Sequence, residues 1–252
     1  MDFDERMIPD ISSNYLFQEA LSRYVFASKL IKKNFKVLDV GCGTGYGTEL
    51  LAEKVIVVGV DSNNETLTYA RNHYLRPTFK KGNAEKLPFK DGEFDMVVSY
   101  EVIEHLKKPE SFLKEIKRVL VKNGIFTLST PNVNFPHVTT SPYHKREYKK
   151  FELVKLLREH FRKVEIYGQK KNKKAQEAFV EFLRSQDVRQ KIVDSDRLGI
   201  RKLMPRGLKE LIWRYFGSFY GRSAQDKLST LDFPITKVIT KDTEYFIAVC
   251  KK

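Results

Sequence analysis

The sequence predicts an open, doubly wound α/β fold. Short apolar or β-branched runs alternate with helical patterns, and the runs are apolar throughout rather than at every second residue. A turn with four glycines in seven positions, "GCGTGYG" at 41–47, directly follows the first run. Continuous apolar runs suit strands covered on both faces, and their alternation with helices suits a parallel sheet with right-handed crossovers.

The elements follow in order. "YLFQEALSRYVFASKLIKK" (15–33) spaces Leu16, Ala20, Tyr24, Ala27 and Leu30 three or four apart, the period of an amphipathic helix. "KVLDV" (36–40), "VIVVGVD" (55–61), "FDMVVSY" (94–100) and "IFTLST" (125–130) read as strands, separated by helical patterns over 47–54, 63–74 and 109–123. A further helix is expected over 147–161, with strands over 162–169 and 243–251. Between those two strands lie roughly 70 residues with helical patterns at 175–188 and 206–217, too long for a plain loop. The expected organisation is an N-terminal helical cap (1–35), a core (36–169 plus 242–252) and a basic helical insertion (170–241) that serves as an acceptor lid.

Composition narrows the function classes. A chain of 252 residues with 41% hydrophobic and 31% charged residues is that of a folded domain. No basic start followed by an apolar run opens it, and its longest apolar strip, "VIVVGV", is too short to span a bilayer, so the expected location is cytoplasmic or peripheral to a membrane. The two cysteines, Cys42 and Cys250, exclude a disulfide framework and a cysteine zinc site. Of the net charge of +14, +11 lies in residues 145–214, where 21 Lys and Arg face 10 Asp and Glu. That lobe is either a solvated surface or the face that meets an anionic partner such as a sugar nucleotide, a membrane surface or RNA.

The glycine turn is the main chemical signal. In a doubly wound sheet the ligand sits beyond the carboxyl ends of the strands, at the first strand-to-helix turn. A dinucleotide fingerprint needs Gly at 46 or 48, where Tyr46 and Thr48 stand, and a P-loop needs a Gly-Lys pair that is not present. What remains is G-x-G-x-G with Asp61 ending the second strand 20 residues after Gly41, where a carboxylate can accept both hydroxyls of a ribose.

At these residues the sequence resembles the class I S-adenosylmethionine-dependent methyltransferases, from about residue 20 to 165. "VLDVGCGTGYG", "VVGVDSN", "GNAEKLPF" and "FDMVVSYEVIEHL" are similar to four successive motifs of that family. The resemblance implies a Rossmann-like, mostly parallel seven-stranded sheet with an antiparallel last strand and a helical insertion before it. It implies S-adenosylmethionine as cofactor and S-adenosylhomocysteine as product. It places Asp39, Gly41, Cys42, Gly43, Thr44, Gly45 and Tyr46 by the methionine part, Asp61 and Ser62 by the ribose, Asn83, Ala84 and Glu85 by the adenine, and Tyr100 and Glu101 at the end of the fourth strand. Asn83 stands where Asp is usual, and accepts without charge assistance.

An alcohol acceptor also needs a base or a metal. On a short helix Glu101, Glu104 and His105 share one face, as a base site or as ligands of a divalent ion. "SPYHKREY" (141–148) is similar to a segment of methyltransferases associated with surface-glycan biosynthesis, and offers His144 as a second base with Tyr143 and Arg146 for the acceptor. His73, His137 and His160 are expected at the surface or in caps. The first expectation is O-methylation of a sugar or glycan intermediate. The alternatives are an RNA 2′-O-methyltransferase, whose small-RNA relatives hold a metal with Glu, Glu, His and a later His (here Glu101, Glu104, His105 and His144), a quinone-type O-methyltransferase, and a non-catalytic scaffold.

Overall fold

The computed structural model describes residues 13–135, 143–194 and 227–252, with backbone alone past residue 183 of the helix that ends at 194. The expected helix at 206–217 and His137 lie outside the described residues. The elements are α1 (Asn14–Ser28), β1 (Lys36–Val40), α2 (Tyr46–Ala52), β2 (Ile56–Asp61), α3 (Asn64–His73), β3 (Thr78–Lys81), β4 (Phe94–Tyr100), α4 (Pro109–Val119), β5 (Leu120–Pro131), α5 (Lys150–Arg158), β6 (Lys163–Gln169), α6 (Lys173–Asp194), β7 (Ile235–Thr236) and β8 (Tyr245–Lys251).

The strands form one sheet in the order β3-β2-β1-β4-β5-β8-β6-β7. β1 to β5 pair in parallel, β8 is antiparallel to both β5 and β6, and β7 is antiparallel to β6. This is the expected fold class with eight strands in place of seven. The additional strand is the two-residue edge β7, which carries no periodicity to detect. β3 buries only Phe79 of its four residues, so its lysine-bearing sequence reads as a solvated edge. The helical pattern expected to 123 ends at Val119, and Leu120–Asn123 begin β5 instead.

The central strands are buried along nearly their whole length, as continuous apolar runs demand. α4 covers one face with Phe112, Leu113, Ile116 and Val119, and starts on Pro109, whose missing N–H costs nothing in a first turn. α3 is capped by Asn63, whose Oδ1 accepts from the backbone N–H groups of Glu65 and Thr66.

α1 departs from a simple amphipathic pattern. Its buried stripe holds Tyr15, Tyr24 and Ala27 together with Glu19, Ser22 and Arg23. These residues find partners at the end of β6: Gln169 donates from Nε2 to the Glu19 backbone O and to Ser22 Oγ, each at 2.8 Å, and accepts from Arg23 Nε at 2.7 Å. The other contact that seats α1 is with α2, where the Tyr24 ring lies so close that a Cβ on Gly47 would meet it at 2.2 Å. That ring cannot swing away, because it packs edge-on against Tyr46 and Tyr100 and donates its hydroxyl to Asp39 Oδ1 at 3.4 Å. Gly47→Ala is therefore expected to destabilise the protein by about 1–3 kcal/mol, the cost of an overpacked core site. Urea unfolding monitored by circular dichroism measures it, and an unchanged midpoint counts against this packing.

Candidate active site

β1 runs into the glycine turn, whose backbone bends back over the end of β2: Gly41 N and Cys42 N both donate to Val60 O, at 2.8 and 3.1 Å. Gly41, Gly43 and Gly45 have φ of +76°, +52° and +87°, a region costly for residues with a Cβ. Asp61 locks the turn, with Oδ2 accepting from Gly43 N at 3.0 Å and Oδ1 from Asn63 N at 2.9 Å. A Cβ built on Gly43 meets nothing within 4 Å, so the main chain there is bare towards open space.

That space is a cleft of about 850 Å³ along the carboxyl ends of β1, β2 and β4. Its lining brings together most of the residues expected from sequence: Gly41, Cys42, Gly43, Thr44 and Tyr46 in the turn, Asp61, Ser62, Asn83 and Ala84 to one side, and Tyr100, Glu101, Glu104, His105, Tyr143 and His144 to the other. Four expected residues are not on its wall. Asp39 is fully buried beneath the turn, accepting from Thr48 Oγ1 at 2.7 Å. Gly45 caps α2, packed against Phe79 and Ala70. Glu85 accepts from Lys108 N at 2.9 Å, and Arg146 is exposed, 5.2 Å over the Tyr148 ring. Asn83 spends one lone pair of its Oδ1 on Glu85 N at 2.8 Å, which leaves the other for a ligand.

The acceptor side differs from the expected helical face. Residues 103–105 form a single 3-10 turn, and Glu101 precedes it with φ of +55°. Glu101 is thereby turned away from its neighbours: its Oε1 accepts from Ser129 Oγ at 2.6 Å and lies 3.8 Å from Arg23. The group that does converge is Glu104, His105 and His144, whose ligating atoms lie within 4.8 Å of one another. The two imidazole rings meet edge to face at 4.9 Å. Glu104 Oε2 accepts from Thr130 Oγ1 at 3.2 Å, while its buried Oε1 has no hydrogen-bond partner among the described residues. Burial, and then the nearby Glu101 carboxylate, push the Glu104 carboxyl well above its ordinary pKa. His144 Nδ1 sits 3.1 Å from Glu147 Oε1. His73 stacks on Tyr69, and His160, where burial lowers the pKa, is half-buried at the end of α5.

Residues that sequence reasoning missed come from α1 and from the loop after β5. Glu19 and Arg23 line the cleft, as does Glu147. The available signals were an i, i+4 charge pair inside an otherwise apolar helical face, and a carboxylate three residues after a candidate base.

The residues fit S-adenosylmethionine: a carboxylate for ribose hydroxyls, a backbone stripped of side chains, and room for a nucleoside with its amino-acid tail. Residues 38–128 match the model of a methyltransferase domain. The chain is 37% identical over 160 residues to a probable S-adenosylmethionine-dependent methyltransferase of Mycolicibacterium smegmatis, covering 61% of this chain and 62% of that one. A ubiquinone biosynthesis O-methyltransferase of Pelagibacter ubique is 34% identical over 105 residues, 40% of this chain and 43% of its own. The chain thus spans about three fifths of the length of the first curated relatives it matches. Among solved structures, an S-adenosylmethionine-dependent methyltransferase of Thermotoga maritima superposes with a TM-score of 0.60 at 18% identity over 94% of both chains. A phosphoethanolamine N-methyltransferase of Haemonchus contortus in complex with S-adenosyl-L-methionine gives 0.55 at 17%, over 92% of this chain and 52% of that one. Residues 38–128 therefore match a methyltransferase domain, the fold is that of methyltransferases of known structure, and the cleft has the residues to fit S-adenosylmethionine.

Burial raises the Asp39 carboxyl to about 7, although Thr48 and Tyr24 both donate to it. The folded protein then keeps this proton up to about pH 7, while the unfolded chain loses it near the ordinary value of 3.8. Stability from this group is present at low pH and lost as pH rises through that window. Asp39→Asn, compared with wild type in the absence of cofactor, should gain relative stability by up to roughly 1.4 kcal/mol per pH unit between about 4 and 7, and none above. Denaturation series at stepped pH test this, and a difference independent of pH refutes it.

Proposed function

We propose that the chain is an S-adenosylmethionine-dependent methyltransferase that methylates a hydroxyl oxygen on an anionic, sugar-bearing acceptor. The observation that carries the reading is the placement of the His105–His144 pair on the same cleft as the glycine turn and Asp61. Bound there, S-adenosylmethionine supplies a methyl carbon activated by its sulfonium. The chain's own work is to seat the ribose on Asp61, to let the ligand approach the bare main chain at Gly43, and to orient the acceptor oxygen in line. An alcohol must shed its proton as it attacks, and His144 is the group arranged to take it. With Nδ1–H donating to Glu147, the tautomer assigned from that partner leaves the lone pair on Nε2.

Three features support the acceptor. The relatives named as ubiquinone biosynthesis O-methyltransferases support oxygen as the atom methylated. Exposed Lys107, Lys145 and Arg146 flank the 3-10 turn and the loop that follows β5, where Lys145 N donates to Glu104 O at 2.7 Å. The charge of residues 145–214 has the same sign, and a phosphorylated carrier suits both.

A second reading rests on the convergence of Glu104, His105 and His144 and on the orphaned Glu104 oxygen, which fit a divalent ion. These residues would hold it, and it would supply Lewis acidity to an acceptor hydroxyl. An RNA ribose or a catechol is the acceptor that this version suits.

Transfer of a labelled methyl group to nucleotide sugars, lipid-linked glycans, RNA ends and quinols tests both readings. His144→Ala is expected to lower turnover by roughly 10²–10⁴-fold while S-adenosylhomocysteine affinity is retained. Activity that survives EDTA supports the base; activity lost to EDTA and restored by a divalent ion moves the assignment to the metal. An RNA acceptor announces itself by affinity that falls steeply with salt. Asp61→Ala should weaken S-adenosylhomocysteine by at least about tenfold, the loss of charge-assisted hydrogen bonds, and unchanged calorimetric affinity would remove the cofactor assignment.

A further inference from the structure

α4 and α5 lie side by side over one face of the sheet. Phe126 of β5 packs on Phe112 of α4 and on Phe161 just past α5, with ring centres 6.0 and 5.4 Å apart. Both helices turn their apolar residues into a common core, Phe112 and Ile116 from one, Leu153 and Leu157 from the other. Burial, opposed by Glu159 and aided by Lys117 and Lys114 of α4, lowers the pKa of His160 at the end of α5, so the cations of one helix stand beside the other.

The outer side of this layer is strongly basic. On α5 the exposed residues Phe151, Lys155 and Arg158 recur at i, i+4 and i+7, one stripe of the helix, with Lys150 exposed at its start. α4 adds exposed Lys114 and Lys117. Few acids offset them. Glu152 accepts from Lys149 N at 3.0 Å and Glu115 pairs with Arg118, which leaves Glu110 and Glu159 as the exposed acids of residues 107–117 and 145–163.

Aromatic rings single this face out. Among the described residues the exposed large aromatic side chains are Tyr143, at 54%, and Phe151, at 66%, and both belong to the segment that carries these cations. Val133, 38% exposed, lies beside them, its N–H donating to Tyr148 O at 3.4 Å. Solubility alone gains nothing from an exposed phenyl ring. Cations spread over two helices and a loop outreach any single phosphate, and apolar side chains set among them match anionic headgroups lying over hydrocarbon. An aliphatic valine suits hydrocarbon and has no ring for a nucleic-acid base to stack on. The patch runs into the cleft, because Tyr143 also lines it and Lys145 N donates to Glu104 O at 2.7 Å.

We infer that the outer side of α4 and α5, with the loop before α5, docks on an anionic lipid surface, Phe151 entering the headgroup layer and the cations around it meeting lipid phosphates. The acceptor end of the cleft then faces the membrane. The inference concerns binding alone and stands apart from the methylated atom and from the choice between base and metal.

Sedimentation of the full chain with lipid vesicles tests it without turnover. Wild type should partition onto phosphatidylcholine vesicles that contain phosphatidylglycerol, far less onto phosphatidylcholine alone, and should be released at high salt. Replacing Lys150, Lys155 and Arg158 together by Gln should lower the partition by roughly 10²-fold, about fivefold for each cation lost. Phe151→Ser should lower it by about tenfold with the charge unchanged. Lys29, Lys32 and Lys33 are exposed before the amino end of β1, away from the cleft, and their joint replacement by Gln should cost less than about threefold. Equal loss in the two triple variants makes net charge the whole cause and overturns the inference, as does a wild type indifferent to phosphatidylglycerol, a comparison that needs no variant to fold. Displacement by soluble glycerophosphoglycerol reduces the surface to a phosphate pocket and also overturns it. Oligouridylate that strips the protein from vesicles and binds through the same cations and Phe151 assigns the face to RNA instead.

Discussion

The seating of α1 on α2 is the contact on which the cleft depends. Tyr24 presses on the backbone of Gly47, donates to Asp39 beneath the glycine turn, and packs against Tyr46 and Tyr100 on either side. One ring thus joins the capping helix, the start of α2, the end of β4 and the acid under the turn. It works because residue 47 has no side chain: the helices approach at a distance that any Cβ would forbid. With α1 so placed, its polar residues Glu19 and Arg23 reach the carboxyl ends of β4 and β6 and the amino end of the antiparallel β8, and close the side of the cleft that the sheet leaves open.

The part of the site closest to the parallel sheet was legible from sequence because its residues answer to backbone rules. Gly41 and Gly43 need positive φ, and Asp61 must end a strand beside them, so spacing alone locates them. Glu104 and His105 were legible as a pair but misassigned to a helical face with Glu101. The chain makes a 3-10 turn there, and the left-handed Glu101 has no local sequence signature. Arg23 and Glu147 left fainter signals. The partner that holds Arg23, Gln169, lies 146 residues away and is set by tertiary contact, while Glu147 is three residues from His144 but in a loop with no regular period to single the pair out. Likewise β7 and β3 are edge strands, too short or too charged to announce themselves.

Charge is distributed unevenly between surface and cleft. The chain carries +14, yet the groups buried around the cleft are mostly acids: Asp39, Glu19, Glu104 and Glu244 against Arg23 and Lys171. Lys171 pairs with Glu244 and lies 4.0 Å from the centre of the Phe179 ring, at the root of α6. Burial, reinforced by the Glu19 charge, still raises Glu244 to about 7. The cleft lining itself also holds more carboxyls, Glu19, Asp61, Glu101, Glu104 and Glu147, than the one guanidinium of Arg23 among the described residues, in a setting where water screens them weakly.

That imbalance bears on turnover. On the proposed reading the cofactor enters with a positive sulfonium and leaves as a neutral thioether, while the rest of the molecule is unchanged. A floor lined by the Asp61 and Glu101 carboxylates favours the charged form, and the preference vanishes once the methyl group has moved. On the same proposed reading the basic rim acts in the opposite sense on the acceptor, drawing an anion to the mouth without admitting its charge to the floor. Separating the two signs by depth lets one cleft attract a cationic donor and an anionic acceptor at once, which a uniformly acidic or uniformly basic surface could not do.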